Sequence, residues 1–226
     1  MGAKRSGRSG PFSTHAYFTG SAIGLRDTSI REARRPPLNL VAIHEAGHAV
    51  AAFYLGIPFG DVTIIPVAEQ WDSVPLPVGW IDIDRKNRAH RRFFEAAVVM
   101  SLAGTAAEDS FFGDYSRRDT LNDRTAALNY ALAGGIVNAR MVQHLARRSE
   151  DALAKYFAAR LAPLASRTFR FVARHRGKIA AVAVALLERG RLTERDVEIL
   201  CGPRAKPRWQ FVKAGEPVEK DPSHAA

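Results

Sequence analysis

The stretch "NLVAIHEAGHAVAAFYLG", residues 39–56, limits the fold more than any other part of the chain. Leu40, Ile43, Ala46, Val50, Phe53 and Tyr54 recur at helical spacing, and Gly56 with Pro58 supplies a stop signal, so a helix is expected from about 39 to 55. So apolar a helix belongs inside a core, yet it carries His44, Glu45 and His48. Burying two imidazoles and a carboxylate without partners is costly. Any fold of this chain must therefore bring partners to them.

Residues four apart on a helix share a face, so His44 and His48 point the same way and can bind one zinc ion, which takes imidazole nitrogen at about 2.0–2.1 Å. Glu45 is rotated away but stays within reach of an attacking water, whose proton a carboxylate can accept. This is the H-E-x-x-H pattern of zinc peptidases. A third ligand has to come from elsewhere. One common arrangement, a third histidine six residues past the motif, fails because Ala51 and Tyr54 hold those positions. Glu95, Glu108, Asp109, Asp114, Asp119 and Asp123 are the acidic candidates downstream, and spacing alone does not choose among them.

The rest of the chain is read around that helix. Its 226 residues suit one domain with extended ends, and 46% hydrophobic with 25% charged residues are globular values. The single cysteine, Cys201, excludes an internal disulfide framework and any cysteine-based zinc site. The longest apolar run, "IAAVAVALL" at 179–187, is too short to span a membrane and is bounded by Lys178 and Glu188. Without an apolar segment after the basic N-terminus a secretory signal is not expected, and the default address is the cytoplasm. An Arg/Ser-rich leader also fits a transit peptide.

The net charge of +10 is concentrated in the first 35 residues and in pairs such as Arg91–Arg92 and Arg147–Arg148. A solvated basic surface explains it. With no helix-turn-helix, zinc finger or aromatic platform, charge alone does not point to nucleic acid, which is not an expected partner.

Residues 1–38 read as a basic, mostly disordered segment. "DVTIIPV" (61–67) and "VGWIDID" (78–84) read as a strand pair. Helical pattern follows over Arg88–Phe112, where Ala103, Gly104, Ala106 and Ala107 would let another helix approach closely. It resumes over 121–148, with Gly134–Gly135 as a kink, and further helices are expected at 149–165, 167–175, 177–189 and 194–200. A polar tail begins at Gly202–Pro203. The organisation expected is thus 1–38, 39–202 and 203–226.

Several blocks together carry a resemblance: "AIHEAGHAVAAFYLG" with "DVTIIPV", then "SLAGTAAEDSFFGD", then "LNDRTAALNYA", and near the end "IAAVAVALLERGRLTERDVEIL". In order and spacing they resemble the proteolytic domain of FtsH, the membrane-anchored ATP-dependent zinc protease (peptidase M41), over roughly residues 39–200. The resemblance implies a mainly α fold with a small β-sheet, a zincin-like metallopeptidase domain followed by a helical bundle. It implies one zinc ion per chain, with His44, His48 and Asp123 as ligands, Glu45 as general base and Glu108 near the site, either orienting a ligand or structural. Asp119, in the longer loop "DYSRRDTL", competes with Asp123 for the third position. An extended substrate would pair along Val78, Gly79, Trp80, Ile81 and Asp82.

The chain departs from the family in lacking membrane helices and any G-x-x-x-x-G-K-[ST] phosphate loop. The expected function is therefore that of a stand-alone zinc endopeptidase acting on unfolded or flexible polypeptide without an ATPase of its own. An ATPase partner in trans and a homo-oligomer are both compatible with that. Two other readings remain: a zinc-stabilised domain that binds peptides or an ATPase without cutting, and a DNA-associated metalloprotease whose third ligand is a histidine, for which His90 is the nearby candidate.

Overall fold

A computed structural model of the chain describes residues 36–65, 88–113 and 120–203, with the side chains of 88–90, 120 and 121 excepted. Among these residues the fold is mainly helical with one small antiparallel sheet. In chain order the elements are α1 (Leu38–Leu55), β1 (Val62–Thr63), α2 (Arg88–Ser101), α3 (Ala103–Phe112), α4 (Thr120–Ala133), α5 (Ala139–Ala146), α6 (Glu150–Arg189), β2 (Arg191–Leu192) and α7 (Glu194–Cys201). No helix among them is long and apolar enough to cross a membrane.

The α1 helix is the centre of the molecule. Thirteen of its 18 residues are buried, more than a one-sided amphipathic helix can hide, so neighbours must cover it nearly all round. α6 and α3 pack closest, with α2 and α7 completing the enclosure. α3 approaches where α1 has no side chain: a Cβ on Gly47 would lie 2.7 Å from the Ala103 carbonyl oxygen and 2.9 Å from Ala107 Cβ. Ala103 and Ala107, two of the small residues expected to allow such contact, make it.

Three expectations are corrected. The helix read over Arg88–Phe112 is two helices, broken at Leu102. The helical stretch read over 121–148 ends at Ala133 and restarts at α5, where Asn138 caps by accepting from the Met141 amide at 3.1 Å. The segments read as helices at 149–165, 167–175 and 177–189 are one 40-residue helix, α6. Pro163 and Gly177 inside it together cost about 4 kcal/mol of helix propensity. Leu153, Leu161, Leu164, Val172, Ile179, Val182 and Leu186 are all buried along the same helix. At about 1.5–3 kcal/mol each, they outweigh the two breakers. Helix α7 begins at a capping box formed by Thr193 and Asp196, within a residue of the expected start.

The sheet also differs. Of the expected 61–67 strand the described residues reach Ile65, and among them Val62–Thr63 is regular and pairs with β2, Val62 opposite Leu192 and Thr63 opposite Arg191. The Ile64 amide extends the pairing to the Gly190 carbonyl at 3.0 Å, and Asp61 forms an ion pair with Arg191. The expected partner at 78–84 lies outside the described residues.

Candidate metal centre

His44 and His48 lie one turn apart on α1, buried to 7% and 3% exposure, with their rings edge-on at 4.7 Å between centroids. Their Nε2 atoms face each other at 3.1 Å. Asp123, in the first turn of α4, reaches the same point. Its Oδ2 is 3.3 Å from His44 Nε2 and its Oδ1 is 3.3 Å from His48 Nε2. These three side chains form a buried group able to hold a metal ion.

The other ring nitrogens fix the chemistry of the first. His44 Nδ1 lies 2.6 Å from the buried Glu108 carboxylate, and His48 Nδ1 lies 2.8 Å from the carbonyl oxygen of Met100. Both partners are acceptors, so both Nδ1 atoms carry the proton and donate. A neutral imidazole protonated at Nδ1 has only a lone pair at Nε2. The centre therefore gathers two imidazole lone pairs and two carboxylate oxygens with no hydrogen among them. That arrangement requires a cation, either protons on the rings or a metal.

The spacing fits zinc. Donor atoms bound tetrahedrally at about 2.0–2.1 Å lie roughly 3.3–3.4 Å apart; here the two Nε2 atoms are 3.1 Å apart and each lies 3.3 Å from a different oxygen of the Asp123 carboxylate. Two imidazoles and one carboxylate are a donor set zinc accepts, and three protein ligands leave a fourth position open. Gly104 keeps space beside them, since a Cβ there would lie 2.4 Å from His48 Nε2 and 2.9 Å from His44 Nε2.

Protonation follows from the same contacts. Burial acts to lower the pKa of His44, but the hydrogen bond to Glu108 and the charges of Asp123, Glu45 and Glu108 outweigh it and raise it to about 9. Burial likewise acts against His48, and the charge and hydrogen bond of Asp123 prevail, raising it. Asp123 is held below its ordinary value: burial is opposed by His48, then His44, and by the Thr105 hydroxyl, which donates to Oδ2 at 3.2 Å.

Glu108 thus faces His44 Nδ1, the nitrogen turned away from Asp123. Glu45 is half-buried, and its charge acts on both imidazoles. The substrate-strand candidates Val78, Gly79, Trp80, Ile81 and Asp82 lie outside the described residues, as do Asp119 and the side chain of His90.

Three contributors were not legible beforehand. Thr105 shares a face of α3 with Glu108, three residues on, a spacing that could have marked it. Gly104 was read only as a site of helix contact. The Met100 carbonyl has no side-chain signature; it is available because helix ends leave carbonyls unpaired and α2 ends at Ser101. No protein-family model matches this chain, and no curated protein is significantly similar to it.

Proposed function

We propose that the protein is a zinc-dependent endopeptidase of the FtsH proteolytic type, cleaving unfolded or flexible polypeptide. The observation that carries the reading is the convergence of both His Nε2 atoms with the Asp123 carboxylate, each imidazole fixed from behind by an acceptor. The motif order along the chain supports the narrower family assignment.

His44, His48 and Asp123 would hold the ion. Zinc bound there supplies Lewis acidity, polarising a peptide carbonyl and making water more acidic. Glu45 accepts one proton from the water whose oxygen bonds to the carbonyl carbon, then delivers it to the amide nitrogen as the C–N bond breaks. The products are a carboxyl and an amine terminus. Glu108 and the Met100 carbonyl keep both imidazoles protonated on the far nitrogen, and Thr105 steadies the carboxylate of Asp123.

Metal analysis with a peptide-cleavage assay tests this. The parent should carry about one zinc per chain and cut an unfolded protein, and Asp123→Ala should lose the metal. Glu45→Gln should keep its zinc while cleavage falls by at least ~100-fold. A zinc-loaded parent that cuts nothing would leave a zinc-stabilised binding domain. Undiminished cleavage by Glu45→Gln would remove Glu45 from the mechanism.

A further inference from the structure

Because α6 is one continuous helix, its charges line up. Between Ala152 and Leu187 it carries seven Lys or Arg and no Asp or Glu. At about 100° per residue, Arg160, Arg167, Arg170, Arg174 and Lys178 fall within an arc of roughly 80°. All five are exposed. At about 1.5 Å per residue the row runs roughly 27 Å.

Nothing among the described residues neutralises this row. Arg160 donates to the Ile136 carbonyl at 3.0 and 2.7 Å, and Lys178 donates to the Leu200 carbonyl at 3.1 Å. Neutral carbonyls hold these ends in place and leave their charge intact. Arg167, Arg170 and Arg174 form no ion pair there, whereas Arg91, Arg189, Arg191 and Arg195 each do.

We propose that this ridge of α6 binds the phosphate backbone of a nucleic acid. A nucleic-acid strand presents one charge about every 3.4 Å of its axis, so a straight row this long faces several phosphates at once. Four of the five residues are arginines, whose planar forks match phosphate oxygens. A membrane surface fits less well. No large apolar side chain is exposed between Arg160 and Lys178, where Pro163, Ala173 and Gly177 are the other exposed residues on this side, so nothing there would enter the acyl layer. Charge complementarity without base-reading side chains predicts binding indifferent to sequence. The ridge contains no residue of the metal centre, and the inference stands apart from the peptidase reading.

Fluorescence polarisation of a labelled 20-base-pair duplex with the full zinc-loaded chain tests it across a salt series. Five phosphate contacts give a slope of log affinity against log salt of about −4.5. Arg167→Gln/Arg170→Gln/Arg174→Gln should flatten that slope by about 3 and weaken binding on the order of tenfold or more. Arg140→Gln/Arg147→Gln/Arg148→Gln removes the same charge from exposed positions on and beside α5 and should change binding far less. Unchanged zinc content and thermal melting establish that both variants fold. Equal loss in the two triple variants would reduce the effect to net charge and overturn the proposal. Absence of duplex binding, or binding to phosphatidylserine vesicles or polyglutamate in its place, overturns the assignment of the occupant.

Discussion

Each imidazole of the metal centre has one nitrogen committed before any ion arrives, and what holds each donor is local and specific. The Thr105 hydroxyl is the smallest of these contacts, a single 3.2 Å hydrogen bond to Asp123 Oδ2. Partners that orient a metal ligand typically account for 10–100-fold in affinity. Thr105→Val, which keeps the shape and removes the donor, should weaken zinc binding roughly tenfold, and Thr105→Ser should restore most of it. Competition against a chelator of known affinity reads the difference. Equal affinity in the valine variant would show that Asp123 needs no such support. Protons compete for the same nitrogens, since zinc takes only the deprotonated Nε2. With His44 raised to about 9, a second proton is favoured on its ring in the metal-free protein at neutral pH, and the charge and hydrogen bond of Asp123 shift His48 in the same direction. Zinc affinity should therefore keep climbing from pH 6.5 to about 9, where unperturbed histidines would already have levelled off. A titration flat above pH 6.5 would contradict that protonation.

At the scale of elements, the site depends on how closely α3 lies against α1, and two glycines separate stability from metal binding. Gly47 faces the Ala103 carbonyl and Ala107 Cβ, atoms that move only if the helices part. Gly47→Ala gains about 1 kcal/mol of helix propensity, but the overlap it forces typically costs 1–3 kcal/mol. We expect net destabilisation, measured by denaturant unfolding. Gly104 faces the two Nε2 atoms instead, whose rings are pinned at Nδ1. Gly104→Ala should lower zinc affinity on the order of tenfold or more, because a ring that yields to the new methyl carries its Nε2 with it. If both variants lose stability equally and bind zinc as before, the contact is packing alone. The break at Leu102 belongs to the same scale. It lies between α2, whose Met100 carbonyl fixes His48, and α3, which carries Glu108 and Thr105.

For the whole molecule, the centre draws on helices far apart in the chain. α1 supplies two ligands, α4 the third, and α2 and α3 the groups that orient them. The chain contains no G-x-x-x-x-G-K-[ST] phosphate-cradling loop. Opening a folded domain costs about 5–15 kcal/mol. Cleavage by this chain should thus be indifferent to ATP and limited to peptides, exposed loops and loosely folded substrates. A stable substrate should be cut only as often as it opens, so destabilising it should raise the rate. Comparing an unfolded and a stable substrate, each with and without ATP, checks this. ATP-dependent digestion of the stable one would reveal an unfoldase acting with the chain.

The central helix and its two histidines were legible in the sequence because helical periodicity and the i, i+4 rule act over a few residues. Asp123 was one of six acidic candidates by spacing and was singled out only through resemblance. Which carboxylate reaches Nε2 depends on where α4 begins relative to α1, a long-range packing outcome that nearby residues do not encode. The same limit hid Thr105, the Met100 carbonyl and the pairing of Val62–Thr63 with Arg191–Leu192. The sequence contained every arginine of the α6 ridge. It took burial of Leu161, Leu164, Val172 and Ile179 against the rest of the fold to carry one helix through Pro163 and Gly177 and so bring those charges onto one line.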